Sequence, residues 1–504
     1  MKQTLSLLAA AIVGASASLN AAAQEVTLKV HHWGSPKSPQ HVSMLVPWCE
    51  KVVKESNNRI KCDVFPSMQL GGSPPQLYDQ AKDGVVDVIF TIPGYTAGRF
   101  PLIEAFELPF MATTPEATSR AAWEFASTHA KDEFKETKLI AVNVNGPCNV
   151  YTVKQPLGVV GLITPWNFPW AIPCWKIAPA LVAGNTVVFK PAELTPQTAT
   201  LLVRFFEEAG LPPGVLNMVV GPGSAVGEAI VRHPDVRAVS FTGSNEVGRR
   251  VIEECAKTRK KVTCEMGGKN ALIVMEDADI DAAVTATADG AFGSTGQRCT
   301  ATSRLLVHEA VKDAVMEGLL AAAKRYNPGN GADPASGMGP CVDRKQFETV
   351  RSFIESGKRE GARLVLGGGA PDPRGYFIEP TIFDGVEPRM RIFQEEIFGP
   401  VLSVVSFGSF EEAMRLANDS RYGFAGSIFT REVGAVMRFI EGAEIQMVHV
   451  NEPTVGGEAQ LPFGGGKATG YGDREMAEDG LNFFTQTKTV FINYSGSGSR
   501  SMVR

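Results

Sequence analysis

Two side chains in this sequence are placed for covalent acyl chemistry. Cys299 lies in GSTGQRCT, a glycine-rich turn after a helical run, and Glu265 lies in CEMGGKN, between an apolar strand and a glycine turn. A thiolate attacks carbonyl carbon well. Backbone amides of a tight turn stabilise the thiolate first and an oxyanion later. A carboxylate held near a cleft and partly buried is pushed up toward the range of a general base. Each residue also has a plain reading when taken alone. A free cysteine is commonly a small buried hydrophobe, such a glutamate is commonly a cap or an ion-pair partner, and Lys176 in IPCWKIAP is an ordinary solvated lysine. Arg298 adjoins Cys299, but sequence neighbours need not face one another, so it receives no role. No C-x-x-C occurs, and no metal is expected.

These groups need a scaffold, and the chain is long enough to supply one. Its 504 residues correspond to about three domains of roughly 150 residues. Apolar residues make up 44% and charged residues 20%, the composition of a packed globular core. The net charge of -5 gives no general field for nucleic acid or an anionic membrane. Lys2, the apolar run Leu5 to Val13 and Ala21-Ala22-Ala23 before Gln24 read as a signal peptide over residues 1–23. That makes membrane contact an event of export only. Cys49, Cys62 and Cys148 are free to pair in an oxidising compartment, but spacing does not say which.

The spacing of apolar residues predicts a βαβαβ order at the front: EVTLKVHHW, a helix over PQHVSMLVPWCEKVVKESN, RIKCDVFPS, a helix over PQLYDQAKDG, and VVDVIFTIP. A helix follows in ATTPEATSRAAWEFASTHAKDEF. From Gln155 the pattern becomes repeated β-loop-α units with β-branched strands, which predicts a mainly parallel sheet. AIPCWKIAPALVAG is a helix ended by Gly184. NTVVFKPA is a strand broken by Pro191. TPQTATLLVRFFEEAG is a helix capped at its start and ended by Gly210. A second α/β region begins at Asn270, with strands in RLLVH, RLVLGG, VLSVVSF and MVHVN. The tail KTVFINYS reads as a strand whose companion is NVYTVKQ, an edge ribbon suited to pairing between subunits.

Two families are resembled in turn. The front piece, through LKVHHWGSPKSP, FPSMQLGG and ELPFM to roughly residue 150, resembles the solute-binding proteins of tripartite periplasmic transporters. It implies a partial α/β binding-protein-like lobe over 24–150, without the later arginine that typically clamps a substrate carboxylate. Residues 156–497 resemble the aldehyde dehydrogenase superfamily in PWNFPW, VVFKPAELTP, SFTGS, CEMGGKNA, FGSTGQRCT, QEEIFGPV and LPFGGGKATG, in family order. Glu265 and Cys299 are 34 positions apart, as that family's base and nucleophile are. The resemblance implies an α/β fold: an incomplete Rossmann-like NAD-binding domain at 156–266, a second α/β catalytic domain at 267–466, and a return segment with an oligomerisation strand at 467–504.

It also implies roles. Cys299 attacks the aldehyde, Asn167 and the Cys299 amide hold the oxyanion, Glu265 activates water, and Lys176 lowers the thiol pKa. For the cofactor, Ile163 and Trp166 line its path, and Lys190 and Glu193 contact the adenosine ribose. Gly223 and Gly227 of GPGSAVG, a departure from G-x-G-x-x-G, form a permissive turn. Gly243 and Ser244 approach the pyrophosphate. Glu396 contacts the nicotinamide ribose, and Phe398 packs beside it. A carboxylate beside the ribose hydroxyls disfavours a 2′-phosphate, so NAD is expected before NADP. The substrate is expected to be a small aldehyde or semialdehyde, with Glu458 or Gln460 near the tunnel, and the enzyme a homodimer or homotetramer. The leader points to the periplasm and the cofactor to the cytoplasm. A usual member carries a further N-terminal third before PLGVVG, so exposed apolar surface, reduced stability or impaired activity is expected. A small-solute-binding module with a non-catalytic enzyme-like region, and acyl transfer to coenzyme A or esterase action through the same cysteine, are the competing readings.

Overall fold

In the computed structural model the chain divides into two compact units, Met1–Val153 with Thr489–Arg504, and Lys154–Lys488. The structure describes residues 26–107, 114–144 and 148–493. The expected signal peptide at 1–23, most of ELPFM and the side chain of Cys148 lie outside the described residues.

The first unit holds a parallel sheet of β1 (Val26–His32), β2 (Ile60–Phe65) and β3 (Val88–Phe90) in the order β2-β1-β3. This is the expected βαβαβ piece. A helix at Val46–Glu55 packs on it through Leu45, Cys49, Val30, Cys62 and Val64. Of the cysteines that spacing left unpaired, Cys49 and Cys62 form a disulfide that ties this helix to β2.

The second unit carries two large sheets, and β4 (Cys148–Pro156) spans the boundary between the units along the chain. The first sheet contains β5 (Val159–Ile163), β6 (Thr186–Lys190), β7 (Leu216–Met218), β8 (Val236–Thr242) and β9 (Lys261–Glu265), all parallel. Period-2 alternation sorts their side chains onto two faces. Val160, Leu162, Val187 and Phe189 meet Ile177 and Ala180 of the Ala171–Val182 helix and Ala199 and Leu202 of the Pro196–Glu208 helix. Ile163, Val239 and Phe241 meet Ile230, Val251 and Cys255 on the other side. Gly161 is a glycine for packing: a Cβ there would strike the side chain of Ile230.

The second sheet contains β10 (Asn270–Val274), β11 (Thr302–His308), β12 (Arg363–Leu366), β13 (Thr381–Asp384), β14 (Val401–Phe407), β16 (Ala425–Phe429) and β17 (Met447–Val450), ordered β12-β13-β14-β11-β10-β16-β17. Only the β12–β13 pair is antiparallel. β10, β13 and β16 were not singled out from the pattern: every residue in them is buried, so no alternation marks them. β15 (Tyr422–Gly423) and β18 (Gly466–Lys467) form a short antiparallel pair, and β19 (Gly470–Tyr471) runs antiparallel beside β9. β20 (Thr485–Asn493) pairs with β4, the companion expected for the tail strand.

One expected cap is absent. Thr195 precedes the Pro196–Glu208 helix, but its side chain makes no capping bond and its Oγ1 is buried without a partner. Its backbone, at φ -132° and ψ 42°, lies off the extended conformation from which a capping hydroxyl reaches the first turn. Val182, Leu201 and Phe205 are exposed, and Trp170 meets Phe205 edge-on at 5.7 Å. Among the described residues, no helix is long and apolar enough to cross a membrane.

Candidate active site

The turn that carries Cys299 is bent hard. After the Ile280–Phe292 helix, Ser294 (φ 53°), Thr295 (φ 61°) and Gly296 (φ 64°) are all left-handed. Non-glycine residues in that region cost energy and persist where surrounding structure over-determines them, often at functional sites. Gly296 has no alternative: a Cβ there would strike the carbonyl of Gly399. Thr295 Oγ1 donates to the Gly339 carbonyl at 3.1 Å, and Arg298 donates to Ser294 Oγ at 2.9 and 3.1 Å. Arg298 is thereby occupied in holding the turn. Of the free cysteines, Cys255, Cys264 and Cys341 are buried, whereas Cys174 and Cys299 are partly exposed.

Glu265 ends β9, and the turn that follows it meets the Cys299 turn. The next turn brings Gly268 so close to the Cys299 carbonyl that a Cβ would collide with it. Asn270 Nδ2 donates to the carbonyls of Cys299 and Ala301, both at 2.8 Å. Glu265 Oε2 accepts the Gly465 amide at 3.0 Å, beside Phe463, and Phe463 belongs to an apolar cluster with Phe424, Met476 and Trp175 against which Cys299 packs. Burial first, then the charge of Glu475, raises the Glu265 carboxyl well above the usual carboxylate range; the Gly465 amide and the charges of Arg474 and Lys176 oppose the rise. Burial, then the charges of Glu396, Glu265 and Glu475, pushes the Cys299 thiol up. The thiol proton is thus held more tightly than that of a free cysteine, and the Glu265 charge contributes to this.

Lys176 is fully buried in the Ala171–Val182 helix. Its ammonium is ion-paired with Glu475 and donates to Ser240 Oγ at 2.7 Å. Thr242 Oγ1 also donates to Glu475, at 3.3 Å. The lysine expected to act on the thiol thus has a carboxylate partner of its own. A buried pair of this kind is costly to break, because the survivor is left uncompensated. Lys176→Met is expected to destabilise the protein by about 3–5 kcal/mol, measured by urea unfolding. It also removes a cation that lowers the Glu265 value, so any Glu265-dependent rate should shift to higher pH. Asn167, in the loop after β5, donates through Nδ2 to the Gln297 carbonyl at 3.1 Å, two residues before Cys299.

The carboxyl ends of the first sheet carry the residues expected at the cofactor. β5 is central, with β6 and β7 on one side and β8 and β9 on the other, so its end is a topological switch point, where α/β sheets bind ligands. Ile163 and Lys190 end β5 and β6 there, and the next residue, Thr164, has a buried Oγ1 without a partner. Lys190 Nζ donates to the Pro191 carbonyl at 2.9 Å, and Glu193 Oε1 accepts the Gly223 amide at 3.1 Å. A Cβ on Gly223 would meet nothing within 4 Å, and one on Gly227 would touch Lys190 and Ile163. Ser244 caps the Asn245–Lys257 helix, accepting from Val247 at 3.4 Å, and the Gly243 amide donates to the Glu265 carbonyl at 3.1 Å. A helix start, an open glycine, a lysine and an orphaned hydroxyl suit a dinucleotide. Glu396 Oε1 accepts the Gly268 amide at 2.9 Å, and Trp166 stands edge-on to Phe398 at 5.5 Å. Phe398 is itself left-handed (φ 54°). Glu458 and Gln460 are exposed.

Several residues here carried no signal in the sequence. Glu475 lies in an unremarked GDREMAE stretch, and its position depends on a reciprocal backbone pair with Phe463 at 2.8 Å in both directions. Gln346 Nε2 fixes the Glu396–Phe398 turn by donating to the Phe398 and Ile397 carbonyls at 2.8 and 3.1 Å. Asn270 and Lys269 follow Glu265 in GGKN and were read only as part of a motif. Among the described residues, no group of three or more His, Cys, Asp or Glu side chains could hold a metal.

Comparison with known proteins agrees with this geometry. The aldehyde dehydrogenase family matches residues 113–490, and bacterial extracellular solute-binding protein, family 7, matches residues 30–161. An α-ketoglutaric semialdehyde dehydrogenase of Bacillus subtilis is 44% identical over 386 residues, 75% of this chain and 79% of its own. A 2,5-dioxopentanoate dehydrogenase of Saccharolobus solfataricus is 44% identical over 406 residues, covering 78% and 85%. Among solved structures, betaine aldehyde dehydrogenase of Staphylococcus aureus in complex with NAD+ superposes with a TM-score of 0.68 at 37% identity over 72% of each chain. A Mycobacterium tuberculosis aldehyde dehydrogenase complexed with NAD+ gives 0.65 at 39% identity, over 69% of this chain and 72% of that one.

Proposed function

The chain belongs to the aldehyde dehydrogenase family, and from that premise we propose that it oxidises a small aldehyde or semialdehyde to the carboxylate with NAD, through an acyl thioester on Cys299. The observation that carries this reading is the meeting of the Glu265 and Cys299 turns through Gly268 and Asn270. The relatives named above for α-ketoglutaric semialdehyde and 2,5-dioxopentanoate support a semialdehyde; the NAD+-bound neighbours support the cofactor. The solute-binding resemblance ends at residue 161 and leaves this site untouched.

In this reading the Cys299 sulfur forms a bond to the aldehyde carbon as the carbonyl electrons move to oxygen, and the thiol proton leaves to solvent water. Asn167 releases the Gln297 carbonyl and turns its amide to the oxyanion, together with the Cys299 amide. When bound, the nicotinamide supplies a hydride acceptor for the thiohemiacetal carbon. Glu265 then takes a proton from water, which attacks the thioester; carboxylate departs and the thiol is restored. The Lys176–Glu475 pair sets the charge around Glu265. Trp175 and Phe463, 4.9 Å apart, and Phe424, 5.3 Å from Phe463, wall the approach with apolar surface that excludes bulk water. Asn167→Ala is expected to cost about 10²–10³ in kcat, the loss seen when one oxyanion donor is removed, with little change in NAD affinity.

The deciding assay is NADH absorbance with a panel of small aldehydes that includes 2,5-dioxopentanoate. Turnover on at least one supports the reading, and none across the panel overturns it. The edge strand β17 and the β4–β20 ribbon, with Phe491 exposed, favour assembly into a homodimer or homotetramer. Sedimentation as a monomer at micromolar concentration would exclude it.

A further inference from the structure

We propose that Lys269 is a positioning residue of the cofactor site, whose buried ammonium keeps the Glu396 carboxylate ionised and available to the ribose; this rests on the cofactor reading above. Lys269 is 2% exposed, and its Nζ has no hydrogen-bond partner. A buried ammonium with no partner is costly and calls for a physical reason.

Its surroundings supply that reason. Lys269 directly follows Gly268, whose amide is bound by Glu396. The main chain there cannot withdraw: the Lys269 carbonyl accepts Arg304 Nε at 2.9 Å, and Asn270 Oδ1 accepts the Ala425 amide at 3.0 Å. Arg304 spends its other donors on the carbonyls of Leu416, Ala417 and Asp419. The second buried cation is therefore anchored by neutral groups, and it repels the first.

The charges acting on Lys269 are Arg304, against its proton, and Glu396 and Glu395, in its favour. Those acting on Glu396 are Lys269 and Arg421, both favouring the carboxylate, together with the Gly268 amide. Tyr422, whose hydroxyl accepts from Arg421 at 2.7 Å, and the Cys299 thiol both feel the Glu396 charge. Burial lowers Lys269 to about 7 and raises Glu396 to about 7. At neutral pH the Glu396 charge is sustained by the Gly268 amide first and by Lys269 next, and the Lys269 charge by Glu396 ahead of Glu395. Without Lys269, the carboxyl holds its proton to higher pH and loses acceptor capacity toward ribose hydroxyls.

The test uses the purified full chain and titrates NAD in the absence of aldehyde, following tryptophan fluorescence from pH 6 to 9. The pH midpoint of NAD affinity is expected to rise by about one pH unit in Lys269→Met and to fall or stay level in Lys269→Arg, whose charge persists throughout. At pH 7, where the wild-type carboxyl is about half ionised, this corresponds to about a fivefold weaker Kd for Lys269→Met. Glu396→Gln should bind weakly without this pH dependence, and adding Lys269→Met to it should change nothing further. Equal midpoints in wild type, Lys269→Met and Lys269→Arg would overturn the proposal, as would additive losses in the double variant. If Lys269→Met does not fold, the comparison of Lys269→Arg with Glu396→Gln carries the same test: a midpoint raised in Lys269→Arg would overturn it. Absence of NAD binding by the wild type at every pH would instead strike the cofactor reading itself.

Discussion

Replacing Cys299 with serine is expected to lower aldehyde-dependent NADH production by on the order of 10⁴-fold or more, the scale at which enzymes lose activity when a nucleophile is removed. NAD binding should remain, because Ile163, Lys190, Glu193 and Ser244, proposed to hold it, lie at or just after the ends of β5, β6 and β8, and none of their hydrogen bonds goes to the sulfur. Serine fills the space of cysteine without disturbing the Ser294–Gly296 turn, so a loss of rate with an unchanged melting temperature isolates the chemistry from the fold. The thiol is raised by burial and by three carboxylates, so alkylation of wild-type Cys299 by iodoacetamide in the free enzyme should increase steeply with alkaline pH. Turnover within tenfold of wild type in the serine variant would remove the covalent mechanism altogether.

The second large effect is expected at Glu265. Glu265→Gln should still form the thioester, releasing about one equivalent of NADH per site in a burst. It should then turn over about 10²–10⁴-fold more slowly, the usual contribution of a general base. In wild type the hydrolytic limb should rise with pH through a midpoint above the ordinary carboxylate range, because only the ionised carboxylate accepts the proton from water. That limb should vanish in the glutamine variant. The same shift has a stability sign. A carboxyl whose folded value is raised favours the fold fully below its ordinary value of 4.5, and that contribution is lost as pH rises through the raised value. Glu265→Gln should therefore flatten the fall of stability with pH, measured by urea midpoints from pH 5 to 8. A variant with no burst and unaltered pH dependence would assign the base elsewhere.

Much of the scaffold was legible because its elements are coded locally. β5, β6 and β8 were read from β-branched runs, and the Ala171–Val182 and Pro196–Glu208 helices from their periodicity and the glycines that follow them; Gly184 and Gly210 are indeed left-handed, at φ 86° and 91°. β10, β13 and β16 escaped because complete burial erases alternation. Thr195 misled because a cap requires a backbone angle as well as a residue type.

By itself the sequence determined the kind of chemistry on offer: a nucleophilic sulfur in a glycine-rich turn, a carboxylate ahead of another, and a run of β-loop-α units to carry a dinucleotide. Those are properties of short segments, set by side-chain type and by spacings within a few residues. Only the tertiary structure decided which charges stand together. Lys176 and Glu475, 299 positions apart, became an ion pair, and Lys269 was left alone beside Arg304 and Glu396. Such pairings depend on strand order and on burial, and burial is what turns ordinary carboxylates and amines into groups that titrate near neutral pH.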